Sequence, residues 1–269
     1  MSAERIAVIC GASGGIGRAA ARKLAASRSL LLVGRTEAPL ETLRREIDAH
    51  AEDERQAAPR IETLVAEISD PQVGDLVIQA LTSMRGEPDL VVATTATNRP
   101  VGGLTSLDIE YMREAFEVKL FGPLRVVQAV APLMQEEGGV VVMLSGASAH
   151  RPTRSSLVIS SVNAAVNSAV QAMAAELGPT IRAVAVSPGP VRTERWDAVL
   201  HSVAERDGIT PEQVEGTMRM ALPSQRVSDA DEIADVIGFL SSHSARSITG
   251  ACVLVDGGMS IGVSAPGQL

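Results

Sequence analysis

The densest chemistry in the chain follows its first apolar run. After Cys10 the sequence reads GASGGIGRAA, which sets Gly11, Gly15 and Gly17 in a G-x-x-x-G-x-G spacing. Glycines so spaced allow a tight turn, close approach of backbone to a pyrophosphate, and close packing of a helix on its strand. The N–H groups at the start of that helix then face the phosphates. The loop points to a bound dinucleotide.

A second run ends VGRT, residues 33–36. An acidic residue at the end of the second strand would bond a ribose 2′-hydroxyl, but Gly34 stands there and Arg35 follows. A guanidinium matches a 2′-phosphate in fork geometry, which favours NADP(H) over NAD(H). A solvated surface arginine is the plainer alternative.

Proton chemistry is harder to find. The stretch SSLVISSVNAAVNS, 155–168, runs into a helix that puts Ile159 and Asn163 on one face. Neither exchanges a proton at neutral pH. The chain has one tyrosine, Tyr111, and two lysines, Lys23 and Lys119. Tyr111 reads as a packing or interface residue. The histidines at 50, 150, 201 and 243 are scattered without HExxH or CxxC spacing, so no metal site is expected. Cys10 and Cys252, in apolar runs at opposite ends, read as buried, reduced thiols.

Stepping outward, β-branched runs at 6–10, 30–33, 61–65, 90–92, 140–144, 181–186 and 252–255 alternate with helical periodicity over 15–27, 37–50, 71–84, 108–134, 158–177 and 229–241. The runs are continuous rather than alternating, as in strands covered on both faces. Repeated β-α units give a doubly wound parallel sheet whose ligands bind beyond the C-terminal strand ends. Residues 52–59 read as a polar, solvated loop. Residues 193–225 interrupt the rhythm with Trp196, Met218 and Met220, a candidate lid over an apolar ligand, or else a surface elaboration.

Apolar residues make up 45% of the 269, aromatics 2%, and the net charge is −8. The core is therefore aliphatic, and an acidic surface disfavours nucleic acid and anionic membranes as partners. No apolar run approaches the ~18 residues of a membrane span. The start of the chain lacks the h-region of a signal peptide, so a cytoplasmic location is expected.

With these features the sequence resembles the short-chain dehydrogenase/reductase family along nearly its whole length. EISD (67–70) is similar to the family's adenine-contacting D-V-S-D, SPGPVRT (187–193) to the segment that holds the nicotinamide carboxamide, and ITGACVLVDGG (248–258) to its last strand. The resemblance implies a single-domain Rossmann fold of class α/β: a doubly wound, seven-stranded parallel sheet with helices on both faces. It implies cofactor contacts from Gly11, Ser13, Gly15, Ile16 and Gly17 in the loop. Arg35, Thr36, Glu67, Ile68, Ala93 and Ala96 would follow at the adenosine side. Asn163, Pro188, Gly189, Val191 and Thr193 would serve the nicotinamide side.

The family's catalytic tetrad is not repeated. Its tyrosine falls at Ile159, its lysine at Asn163, its serine at Gly146 and its asparagine at Lys119. Without tyrosine or lysine after position 119, no shift of alignment restores the relay. Losing general acid–base help removes about 10²–10⁴-fold in rate. Lys119, Ser148 and His150 are replacement candidates, against a solvated helix lysine, a loop hydroxyl and a surface histidine as plainer readings. Ile159 is expected beside the nicotinamide, and Asn163 to bond the ribose.

Three functions remain open. One is a non-standard oxidoreductase, or a cofactor-bound non-redox enzyme, acting on a small apolar carbonyl or enone. Another is a silent subunit braced against an active paralogue, in a homodimer, homotetramer or mixed complex, packed through the small face Ala164, Ala165, Ser168, Ala169 and Ala172. The third is a nucleotide-sensing regulator.

Overall fold

The computed structural model describes residues 4–53, 59–97, 104–134, 138–154 and 156–261. In chain order the first half runs β1 (Arg5–Cys10), α1 (Gly15–Ala25), β2 (Ser29–Gly34), α2 (Glu37–Asp53), β3 (Ile61–Val65), α3 (Val73–Ser83), β4 (Glu87–Ala93), α4 (Ile109–Phe116) and α5 (Gly122–Val130). The second half runs β5 (Gly139–Leu144), α6 (Leu157–Leu177), β6 (Ile181–Pro188), β7 (Val191–Arg192), α7 (Glu194–Asp207), α8 (Pro211–Met220), β8 (Ser228–Asp229), α9 (Ala230–Leu240) and β9 (Cys252–Val255).

Seven strands form one parallel sheet in the order β3-β2-β1-β4-β5-β6-β9, and β7 and β8 pair separately. The order reverses beside β1, which has β2 on one side and β4 on the other. This is the doubly wound arrangement read from the sequence. Successive residues of β1 show why its run is continuous. Ile6, Val8 and Cys10 enter a core shared with α3, α5 and α6, whereas Ala7 and Ile9 enter one shared with α1, α2 and α9. Both faces of the strand are covered, so neither carries polar residues.

The helix expected over 108–134 is broken. After α4 the chain makes a π-helical turn, Glu117–Phe121, before α5 begins. Pro123 has no N–H to give the carbonyl four residues back, that of Lys119, so the regular ladder is interrupted there. Thr95 Oγ1 donates to Val118 O at 2.6 Å within the widened turn. Residues 52 and 53 belong to α2 rather than to a loop, and 54–58 lie outside the described residues.

Among the described residues α6 alone has the length and hydropathy of a membrane-crossing helix. It lies on the sheet, with Val158, Val162, Val166 and Val170 fully buried.

Candidate functional site

The C-terminal ends of β1 to β4 open into a groove of about 350 Å³. Gly11, Ser13 and Gly15 line one side of it, Gly34 and Arg35 the end, and Thr94 to Thr97 the floor. Gly11 takes a φ of +81°, which turns the chain sharply out of β1. A Cβ on Gly17 would sit 2.2 Å from Gly11 O, so α1 packs directly on the loop. Thr94 Oγ1 fastens this turn to β4, donating to Cys10 O at 3.0 Å and Gly11 O at 3.2 Å. No side chain caps the start of α1. Its first amides remain donors for an anion, the arrangement that a pyrophosphate needs.

Arg35 is exposed at the groove's rim and makes no ion pair or side-chain hydrogen bond with another described residue. A Cβ on Gly34 would lie 3.1 Å from Leu40 Cδ2 and 3.2 Å from Ser13 Oγ. The position where a carboxylate would select a ribose hydroxyl is therefore crowded, and the rim offers a cation instead. Glu67, Ile68 and Ala96 also line the groove, whereas Ala93 is the buried end of β4 and Thr36 stands outside. Two further carboxylates line it, Glu114 and Glu194, and Arg18 of α1 lies 3.4 Å from the latter.

A second space of about 400 Å³ opens beyond β5 and β6. Gly146 and Ser148 follow β5, Ile159 and Asn163 come from α6, and Trp196 from α7. Pro188, Gly189, Val191 and Ile16 complete much of the wall, and Thr193 lines both spaces. The methyl side of Thr193 rests on Gly15, where a Cβ would meet it at 2.7 Å.

The polar groups here form one chain. Lys119, only 6% exposed, donates from Nζ to Asn163 Oδ1 at 2.7 Å and to Ser145 O at 3.3 Å. Asn163 Nδ2 donates to Ser148 Oγ at 3.0 Å. Ser145 Oγ donates to the Asn163 main-chain carbonyl at 3.0 Å, which ties α6 to the end of β5. A Cβ on Gly146 would stand 2.6 Å from Asn163 Nδ2. Thus the bare backbone at 146 is what gives the amide its place. Lys119 is not a solvated helix lysine: it sits behind Asn163 and lines neither space.

Other expected residues fall elsewhere. His150 is exposed, and its Nε2 lies 3.3 Å from both Cys252 Sγ and Asn167 Nδ2, away from the two spaces. Cys252 is only partly buried, contrary to expectation, because it opens the edge strand β9. Burial raises its thiol pKa, and the Ser187 hydroxyl partly opposes this. Cys10 is fully buried, and burial pushes its thiol up to about 12. Tyr111 packs with Ala115 and Val158, and its hydroxyl lies 2.9 Å from Thr97 Oγ1. Trp196 is 8% exposed and its buried Nε1 has no hydrogen-bond partner among the described residues. Met218 packs beside Trp196 in a small cluster, and Met220 is 69% exposed, so neither lines the second space. No cluster of three metal-ligating side chains occurs among the described residues. Thr94 and Thr95 stand in ATTA (93–96), where the family's N-N-A-G stretch falls, and the sequence did not reveal that they hold the glycine turn and the π turn.

A glycine-loop groove and a second space along one strand edge, on a sheet of this order, match one family in sequence as well. The family model described as enoyl-(acyl carrier protein) reductase matches residues 11–260. The chain belongs to the short-chain dehydrogenase/reductase family. The chain is 28% identical over 261 residues to the NADPH-dependent reductase BacG of Bacillus subtilis, covering 95% of this chain and 97% of that one. It is 29% identical over 258 residues to an L-rhamnose 1-dehydrogenase (NAD(P)(+)) of a Sphingomonas strain, covering 94% of each. In fold it is similar to L-sorbose reductase of Gluconobacter frateurii, crystallised with NADPH and L-sorbose. The TM-score is 0.87 at 22% identity, over 96% of this chain and 97% of that one.

Proposed function

We propose that this family member binds NADP(H) and reduces a small apolar ketone or conjugated enone without the family's tyrosine–lysine relay. The observation that carries the reading is the open glycine turn, with its uncapped helix and an Arg35 at the rim that pairs with no other described residue. The description of a 28% identical relative as NADPH-dependent supports the same cofactor. In this reading the Gly11–Gly17 turn holds the pyrophosphate and Arg35 the 2′-phosphate. Glu67, Ile68 and Ala96 flank the adenosine, and Pro188, Gly189, Val191 and Thr193 the nicotinamide. When bound, NADPH supplies a hydride.

The second space then takes the substrate. Against the family's motif, the amide and the ammonium have changed places: lysine at 119, asparagine at 163. Ile159 presents an alkyl group where the family's tyrosine gives a proton. A conjugated enone suits such a wall, because its reduction asks less of a protein acid. Trp196 and Val199 of α7 line the same space, so α7 serves as its lid.

Calorimetric titration with NADPH and initial rates over a panel of ketones and enones test the reading. Tight NADPH binding with turnover of at least one compound is expected; binding with no turnover across the panel would sink the reductase. A silent-subunit reading draws on a different observation, the exposed stripe Ala164, Ser168 and Ala172 along α6. Its neighbours Ala165 and Ala169 pack inward on the core. Light scattering of the purified chain, alone and mixed with an active family member, separates self-association from mixed assembly.

A further inference from the structure

The donor and acceptor roles around Asn163 run in one forced order. We propose that this order makes Ser148 the hydrogen-bond donor to the substrate's reacting oxygen, an inference that rests on the reductase reading above.

The order starts at Lys119. An ammonium has three donors and no acceptor, so the Asn163 atom 2.7 Å from Nζ is the carbonyl oxygen. The other end of the amide is then NH₂, and it faces Ser148 Oγ at 3.0 Å. A hydroxyl oxygen that accepts there must aim its own O–H elsewhere. Ser148 Oγ has no other partner among the described residues, and Ser148 lines the second space. Its proton is therefore available to a ligand. Ser145 lines the space too, but its hydroxyl is spent on the Asn163 carbonyl. Gly146 permits the whole arrangement, since a side chain there would displace the amide. Lys119 touches no ligand space and acts through Asn163, as a positioning residue.

In the reductive step a C–H bond forms at the substrate, on the carbonyl carbon of a ketone or the β-carbon of an enone. The hydride comes from NADPH, which is oxidised by two electrons as the substrate gains two. The carbonyl π electrons move to oxygen, and the Ser148 O–H holds the charge that develops there. A water then supplies the proton that completes the product and leaves as hydroxide.

The test compares wild type with Ser148→Ala, Ser148→Thr and Asn163→Asp, using cyclohexanone and 2-cyclohexen-1-one as probes. A carboxylate at 163 only accepts, so it would draw the Ser148 O–H out of the ligand space. Loss of one such donor costs on the order of 10²–10³ in kcat. A loss of about 100-fold is expected for both Ser148→Ala and Asn163→Asp. Ser148→Thr should stay within about tenfold of wild type, and NADPH affinity should hold within about threefold in the two Ser148 variants. An independent readout uses the two lysines: in ¹⁵N-lysine protein, Asn163→Asp should move the Lys119 Nζ resonance and leave that of Lys23 in place. Wild-type kcat/KM in Ser148→Ala overturns the role of Ser148 and leaves the reductase reading standing. A wild type that binds NADPH but reduces neither probe overturns that reading and this role together. An unmoved Lys119 resonance overturns the hydrogen-bond order.

Discussion

Lys119 Nζ stands 2.7 Å from Asn163 Oδ1, joining the π turn before α5 to the middle of α6. The ammonium is buried and also donates to the Ser145 carbonyl at 3.3 Å. Taking away the amide removes a charge-assisted bond inside the protein. Asn163→Ala should lower stability by about 1.5–3 kcal/mol, read as a fall in denaturation midpoint at unchanged m-value. An unshifted midpoint would show that the bond contributes nothing.

Gly146 and Asn163 share one volume, because a Cβ on the first would meet Nδ2 of the second at 2.6 Å. Gly146→Ala should therefore cost about 1–3 kcal/mol by overpacking. In the Asn163→Ala background most of that cost should vanish, giving a coupling of at least ~0.5 kcal/mol in a double-mutant cycle. Additive effects would separate the two residues. The same collision means that a serine at 146 alone would not rebuild the family's site.

The two thiols should differ in reactivity. Burial holds Cys10 protonated up to about pH 12, whereas Cys252 is half-open, its pKa raised by burial with the Ser187 hydroxyl opposing that rise. The thiolate is the reacting form. A thiol reagent at pH 8 should modify one cysteine per folded chain, Cys252, and two after denaturation. Equal rates at both positions would contradict the packing of β1.

At the start of α9, Arg226 Nη1 lies 2.7 Å from Glu232 Oε2, and the Asp229 N–H reaches the same oxygen at 2.9 Å. These bonds, the arginine's first, bring the Glu232 carboxyl from 4.5 to about 2. A depressed carboxyl stabilises the fold above its unfolded pKa and loses that contribution as pH falls through the folded one. Glu232→Gln should thus be less stable than wild type at pH 7, with the difference closing between pH 4.5 and 2. The pair is solvent-exposed, so the difference at pH 7 should not exceed about 1 kcal/mol. A gap that persists at pH 2 would assign the effect to packing.

Much of this was legible in the chain. Continuous β-branched runs announced a sheet covered on both faces, and the glycine spacing after β1 announced the groove. The break at Lys119 was hidden because apolar periodicity continues through the π turn, and only the missing N–H of Pro123 marks it. The burial of Lys119 was hidden for another reason. Its acceptors lie 26 and 44 residues away in sequence, so nothing local distinguishes it from a solvated lysine. Met220 looked like a ligand contact by composition, yet it ends α8 facing solvent. His150 looked catalytic by type, but the turn after β5 points it at Cys252.

The groove is expected to hold NADP(H), with Arg35 reading its 2′-phosphate. Calorimetric titration of wild type and Arg35→Ala with NADPH and NADH tests it directly. A charge-assisted bond of about 1.5–3 kcal/mol corresponds to about 10–150-fold in affinity. The expected result is one NADPH per chain, bound at least about tenfold more tightly than NADH, with the preference lost in Arg35→Ala. No binding of either nucleotide, or a preference for NADH that Arg35→Ala leaves unchanged, would contradict it.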